Sequence, residues 1–272
     1  MATNETPGKY VIFNADDFGY SSGINRGIVE AHRRGVVTST SLMVNTPATD
    51  EAVALARTLP RLSVGLHVNF TNEAQRLIDF YDPAVTRQEL THQYERFLTL
   101  MGGPPTHLDS PQHLHRVREC REPFRPLAAA HGLHLRDDAP VTYKGGFYGQ
   151  WEYGVSDPTK VSPEALERIL RQEIGPGFYE MCVHPGYVDP DFESVYHLDR
   201  ERELTTLTDP HVPAVLEEEG ITLYVANSAS AGLPGVSIVP TADVSDGLLD
   251  IILIRSSNLP ALLSIATNSL LN

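Results

Sequence analysis

Val11-Ile12-Phe13-Asn14-Ala15-Asp16-Asp17-Phe18-Gly19-Tyr20 is the stretch on which the reading of this chain turns. An apolar run that ends in two adjacent carboxylates, a ring and a glycine reads as a buried strand leaving the sheet through a turn at Gly19. Like charges side by side repel, and one carboxyl is driven toward protonation unless a cation stands between them. A metal together with a general base resolves that conflict, which makes the pair a candidate active site. The plainer alternative is that Asp17 caps the helix starting near residues 21–23 and that Asp16 is solvated.

Working outward, strand-like and helix-like runs alternate. Strands are expected over residues 10–14, 39–45, 62–69, 106–109, 133–136, 179–184 and 222–226. Helices are expected over 23–35, 50–58, 85–100, 121–131, 163–172 and 212–219, the first with Ile24, Ile28 and Ala31 on one face and Gly35 as its stop. Regular β-α alternation predicts an α/β chain with a parallel sheet, open or closed into a barrel. In either form ligands bind at the C-terminal ends of the strands. Asp16 and Asp17 end the first strand, and His67 lies near the end of the third. Asp109, His113 and His115 follow the fourth, and His184 ends the strand over 179–184. A lone His on an apolar strand is more often a core residue, but four separate segments delivering Asp or His to one rim point to a site. Residues 145–153 (GGFYGQWEY), with the only Trp, read as a loop packing its rings on the barrel or as a sugar-stacking surface.

The whole chain bounds the function. Its 272 residues suffice for one large α/β domain, or one domain plus an appendage. A formal charge of −14 argues against nucleic-acid or anionic-membrane partners. Cys120 and Cys182 form no framework and read as reduced thiols of a cytoplasmic protein. The first nine residues lack the layout of a signal peptide, and no apolar run approaches the ~20 residues that span a bilayer.

With these residues in view, the chain resembles the YdjC/ChbG family of carbohydrate deacetylases. The matching stretches are residues 14–45 (NADDFGYSSGINRGIVEAHRRGVVTSTSLMVN), 65–71 (GLHVNFT), 105–115 (PTHLDSPQHLH), 183–189 (VHPGYVD), 200–210 (RERELTTLTDP) and 220–223 (GITL). The resemblance spans about residues 9–226. It implies an irregular (β/α) barrel and metal-dependent removal of the acetyl group from an N-acetylated sugar such as a chitooligosaccharide. By the same resemblance Asp16 is the general base, Asp17 and His67 are ligands of a divalent metal ion (Mg or Zn), Asp109 lies near the metal, and His184 is the acid for the departing amine.

The chain departs from the family in two places. The family reads D-[SG]-H-[HQ]-H-x-H, where the first His resembles a third metal ligand; here Pro111 occupies that position. If the loop is extended, residues 111, 113 and 115 point the same way, and His113 can fill the vacancy as the third ligand. Otherwise the site is degraded, and the chain is a sugar-binding pseudoenzyme. The segment between Thr71 and Val85 is also shorter than in the family, which suggests a more open pocket or one completed by another chain, as in a homodimer. From about Ser228, residues 234–240 (PGVSIVP) and 246–254 (DGLLDIILI) resemble a β segment of diacylglycerol-kinase-like lipid kinases. The expected organisation is a barrel over residues 1–227 and a short β-rich appendage over 228–272. The appendage is too small to bury a core of its own and must dock on the barrel, pair with another chain or stay loose.

Overall fold

In the computed structural model, residues 8–72, 75–189 and 194–225 are described, with the backbone of 252–254. In chain order the elements are β1 (Lys9–Phe18), α1 (Ser22–Arg34), β2 (Ser39–Leu42), α2 (Thr49–Ala56), β3 (Ser63–His67), β4 (Thr71–Asn72), β5 (Gln75–Arg76), α3 (Pro83–Met101), β6 (His107–Asp109), α4 (Arg118–His131), β7 (His134–Leu135), β8 (Val141–Lys144), β9 (Gln150–Glu152), β10 (Val155–Ser156), α5 (Pro163–Glu173), β11 (Gly177–Val183), α6 (His197–Leu207), α7 (His211–Glu218), β12 (Ile221–Val225) and β13 (Ile252–Ile254). Among these, no helix is long and apolar enough to cross a membrane.

The parallel strands run β8-β11-β1-β2-β3-β6-β7, and the sheet curls into an irregular (β/α) barrel. β12 pairs with the first residues of β1 on the flank that β2 takes over further along. β13 adds to β12 antiparallel, so this piece of the tail docks on the sheet edge. The remaining expectations for the tail, including a turn at Asp246-Gly247 and a helix from Leu259, lie outside the described residues.

Alternation along the central strands divides apolar from polar. Val11, Phe13 and Ala15 of β1 and Met181 and Val183 of β11 join the main apolar core. Asn14, Asp16, Glu180 and Cys182 take the other parity and are also buried. The barrel therefore holds a polar interior, and its acids need partners inside the fold.

Two contacts fix the rim. A Cβ on Gly27 would sit 2.5 Å from the Gly186 Cα, so α1 and the loop after β11 touch backbone to backbone. One turn earlier, the Tyr187 amide donates to the Gly23 carbonyl at 3.1 Å.

The structure corrects several expectations. β1 does not stop at residue 14 but runs through both acids to Phe18. Asp17 does not cap α1: Ser21 does, accepting from the Ile24 amide at 3.2 Å, and Asp16 is buried rather than solvated. Residues 145–153 are not only a loop, because β9 pairs with β10 as a hairpin. Helix α6 falls where no helix was expected. Residues 111–116 form a kinked 3-10 segment rather than an extended loop: Pro111 starts it, Gln112 and His113 break it in left-handed geometry, and the Ser110 hydroxyl accepts from the His115 amide at 2.9 Å. Proline at a first helical position favours that geometry.

Candidate active site

Asp16 and Asp17 lie in a β-bulge. The register between β1 and β2 shifts between Ala15 and Phe18, and Asp17 has φ of 70°. Asp tolerates this left-handed region better than most residues, and a bulge re-aims side chains at a strand end. The two acids thus meet different partners.

Asp16 is clasped by Arg136. Nη1 donates to Oδ2 and Nη2 to Oδ1, each at 2.7 Å. The Asn14 amide adds a bond to Oδ1 at 2.8 Å, and the Cys182 thiol donates to Oδ2 at 3.1 Å. Burial alone would raise the pKa of Asp16, but the guanidinium of Arg136 outweighs it and holds the carboxyl well below its usual range. Arg136 also binds Glu180 through Nε at 2.7 Å and Asp109 through Nη2 at 2.5 Å. Burial dominates at Glu180 and pushes it up to about 7 despite Arg136.

Asp17 belongs to a second cluster. Arg200 of α6 donates through Nη2 to Asp17 Oδ2 at 2.5 Å. On the other oxygen, His67 Nε2 stands 3.4 Å from Oδ1 and lacks a hydrogen-bond partner of good geometry. The far ring nitrogen, Nδ1, is held at 2.7 Å by Asp109 Oδ1. Burial would lower the pKa of His67, but the charges of Asp109 and Asp16 raise it to about 10. Without a cation this ring carries a proton.

A cavity of about 420 Å³ opens over both clusters, and Asp16, Asp17, His67, Pro111, His113 and His184 all reach its wall. Asp109 and His115 lie behind that wall; the His115 ring pairs through Nδ1 with the Ser110 hydroxyl at 2.8 Å. Gln112 and His113 both have φ of 54°, a strained turn that sets the His113 ring at the rim. His113 Nε2 pairs with the Tyr143 hydroxyl at 2.9 Å, while its buried Nδ1 has no hydrogen-bond partner. Burial, aided by Arg136, lowers its pKa to about 4, so the ring is neutral and able to ligate. His184 is fixed from behind by Glu203, which accepts from its backbone amide at 2.5 Å.

Neither Arg136 nor Arg200 stood out in the sequence. Each carried one available signal: Arg136 ends the short run expected as the fifth strand, and Arg200 opens the stretch over 200–210.

The donor set fits a divalent cation. Two ligand atoms each about 2.0–2.1 Å from one tetrahedral ion stand about 3.4 Å apart, which is the spacing of Asp17 Oδ1 and His67 Nε2. A carboxylate on the remote nitrogen of a ligating His is the usual support for such a ring. Asp16, His67 and Asp109 also present ligand atoms within 4.8 Å of one another.

A family model described as YdjC-like protein matches residues 10–218. A second, described as the YegS C-terminal NAD kinase beta sandwich-like domain, matches residues 203–268, in keeping with the kinase-like tail. The chain is similar to a carbohydrate deacetylase of Vibrio campbellii, 35% identical over 245 residues that cover 78% of this chain and 93% of the relative. It is 34% identical to a chitooligosaccharide deacetylase of Serratia marcescens over 253 residues, 79% of this chain and 97% of the relative. A solved protein provisionally described as a cellobiose-phosphate cleavage protein from Enterococcus faecalis V583 has a TM-score of 0.66 at 25% identity, covering 80% of this chain and 97% of that one. A family 4 carbohydrate esterase from Streptomyces lividans, at TM-score 0.50 and 15% identity over 86% of this chain and 99% of that one, shares the fold.

Proposed function

The chain belongs to the YdjC-like family, and we propose that it is a metal-dependent hydrolase that removes the acetyl group from N-acetylated sugars of the chitooligosaccharide type. The observation that carries this reading is the Asp17–His67 pair, spaced as ligands of one ion and backed by Asp109, on the wall of a sugar-sized cavity. Asp17 and His67 would hold magnesium or zinc. His113 is on the same cavity wall with a free Nδ1, but its ring is turned to Tyr143. Among the described residues it stands in no group of three ligand atoms within 4.8 Å, so it would join the ion only after the turn shifts. The ion supplies Lewis acidity toward the amide carbonyl and toward a water.

The side chains of the chain then divide the remaining work. Asp16 takes a proton from the attacking water, and His184 gives one to the departing amine nitrogen, leaving acetate and a free amino sugar. Arg136 keeps Asp16 ionised, so the base is always ready. The same clamp weakens its proton affinity, so water must be made acidic before Asp16 can accept from it. Glu203 and the ring of Tyr196, whose hydroxyl donates to Glu203 at 2.5 Å, hold the His184 segment in place. Acetate release from diacetylchitobiose should require added divalent metal and vanish with a chelator. No release with any metal would overturn the reading.

His67 gives this requirement a pH signature. Its pKa near 10 in the metal-free site means that His67 would have to give up a proton to hold an ion at neutral pH. Metal affinity should rise about tenfold per pH unit through neutrality and level off near pH 10. Calorimetry in two buffers of different ionisation heat should show about one proton released per ion bound.

One observation favours the second reading, a sugar-binding pseudoenzyme: Pro111 lies on the cavity wall and has no ligand atom to offer. Pro111→His should raise metal affinity and deacetylase rate together. Pro111→Ala, which relaxes the turn without adding a nitrogen, separates the two effects. Equal behaviour of the His and Ala variants would remove position 111 from the account.

A further inference from the structure

The β9–β10 hairpin carries two large, mostly exposed rings. Trp151, in β9, is 64% exposed, and Tyr153, two residues on at the hairpin turn, is 68% exposed. Isolated exposed rings are ordinary, but paired ones at the edge of a cavity mark a contact surface. Tyr153 and the half-exposed Tyr148 line the cavity wall, and Trp151 lies outside it, two residues before Tyr153 on the same hairpin.

The hairpin is also anchored. Gln150 donates to the Val195 carbonyl at 2.7 Å, and the Ser156 hydroxyl donates to Asp199 at 2.5 Å. The Gly149 amide donates to the Tyr196 hydroxyl at 2.6 Å, and Tyr148 stacks on Tyr196 with centroids 4.5 Å apart and planes 5° from parallel. Rings held on a braced ribbon lose little freedom when a ligand arrives, so they gain affinity by preorganisation.

We infer that Trp151 and Tyr153 form an outer subsite that stacks on the pyranose rings of an oligosaccharide beyond the unit whose acetyl group is removed. The inference rests on the proposed deacetylase reading and adds to it a preference for chains longer than a disaccharide. The chemistry selects the occupant: a sugar ring offers one face of C–H groups to an aromatic ring and hydroxyls at its edge to water. The uncharged sugar also avoids the repulsion that the acidic chain would impose on an anionic partner.

Trp151 is the only tryptophan of the chain, so its fluorescence reports on this subsite alone. Titration of the metal-free protein with N-acetylglucosamine, diacetylchitobiose and penta-N-acetylchitopentaose should give a saturable change that strengthens with chain length, about tenfold in Kd between the disaccharide and the pentasaccharide. In Trp151→Ala, KM for the pentasaccharide should rise about tenfold with little change in kcat, and the effect should fade as the substrate shortens. Trp151→Phe should restore most of the loss. An unresponsive fluorescence, or an equal change in KM for all chain lengths, overturns the inference. Chain-length-dependent fluorescence without acetate release from any saccharide would support the subsite while refuting the deacetylase reading.

Discussion

Arg136→Met should destabilise the fold by about 3–5 kcal/mol, the usual cost of stripping the partner from a buried charge. Its side chain is fully enclosed and faces three carboxylates, those of Asp16, Asp109 and Glu180. Methionine fills much of the volume but leaves the three acids facing one another in the barrel interior. Against the ~5–15 kcal/mol that holds a typical domain together, the loss is large. The sign of its pH dependence follows from the acids. Asp16 and Asp109 are held below their ordinary pKa values in the folded chain, so each adds stability above about pH 4 that is lost as pH falls further. The gap between wild type and variant should therefore narrow in acid, where protonated carboxyls no longer need a counter-charge. Urea unfolding at pH 7 and near pH 3 measures both. An equal gap at the two pH values would show that Arg136 acts through packing rather than charge.

Asp17→Ala and Asp16→Ala should separate into two different failures. The first removes an oxygen that faces His67 Nε2 and leaves Arg200 without its bonded carboxylate. Metal binding should be lost, and acetate release with it. The second leaves the Asp17–His67 pair intact, and Arg136 keeps Asp109 and Glu180 as partners. Metal should still bind, while the rate falls about 100- to 10,000-fold, the usual worth of a general base. Calorimetry with the metal alone and an acetate assay on each variant test the division. Unchanged metal affinity in Asp17→Ala would remove its role as a ligand, and a near-normal rate in Asp16→Ala would remove the base.

The residues that meet at this cavity were legible to the extent that strand ends were. Asp16, Asp17, His67 and His184 each close an apolar run, and a parallel sheet brings such ends to one rim. What stayed hidden was the set of partners. Helix α6 buries Asp199, Arg200 and Glu203 beside Leu204 and Leu207, so the first half of its inward face is charged and the apolar period that betrays a helix is confined to its last turns. Arg136 follows a strand of two residues and precedes two acids, a context that looks like solvated surface. The turn at residues 111–116 had a legible sign, serine then proline at a helix start, but the family pattern drew attention to the side chains instead of the backbone. The bulge at Asp17 has no sequence signature beyond the tolerance of Asp for left-handed geometry, and it is the bulge that sends the two acids to different partners.

The glycine contact between α1 and the loop after β11 also orders events in time. Gly27 and Gly186 are about 160 residues apart, and non-local contacts of that span are slow to close. While a nascent chain is emerging, β1 and α1 are made first, yet the glycine face of α1 has no seat until β11 has been synthesised and has paired with β1. The strands bearing Asp17, His67 and Asp109 are all made by residue 109, whereas the loop bearing His184 takes its seat against α1 only after β11, so the metal-holding half of the centre precedes its acid.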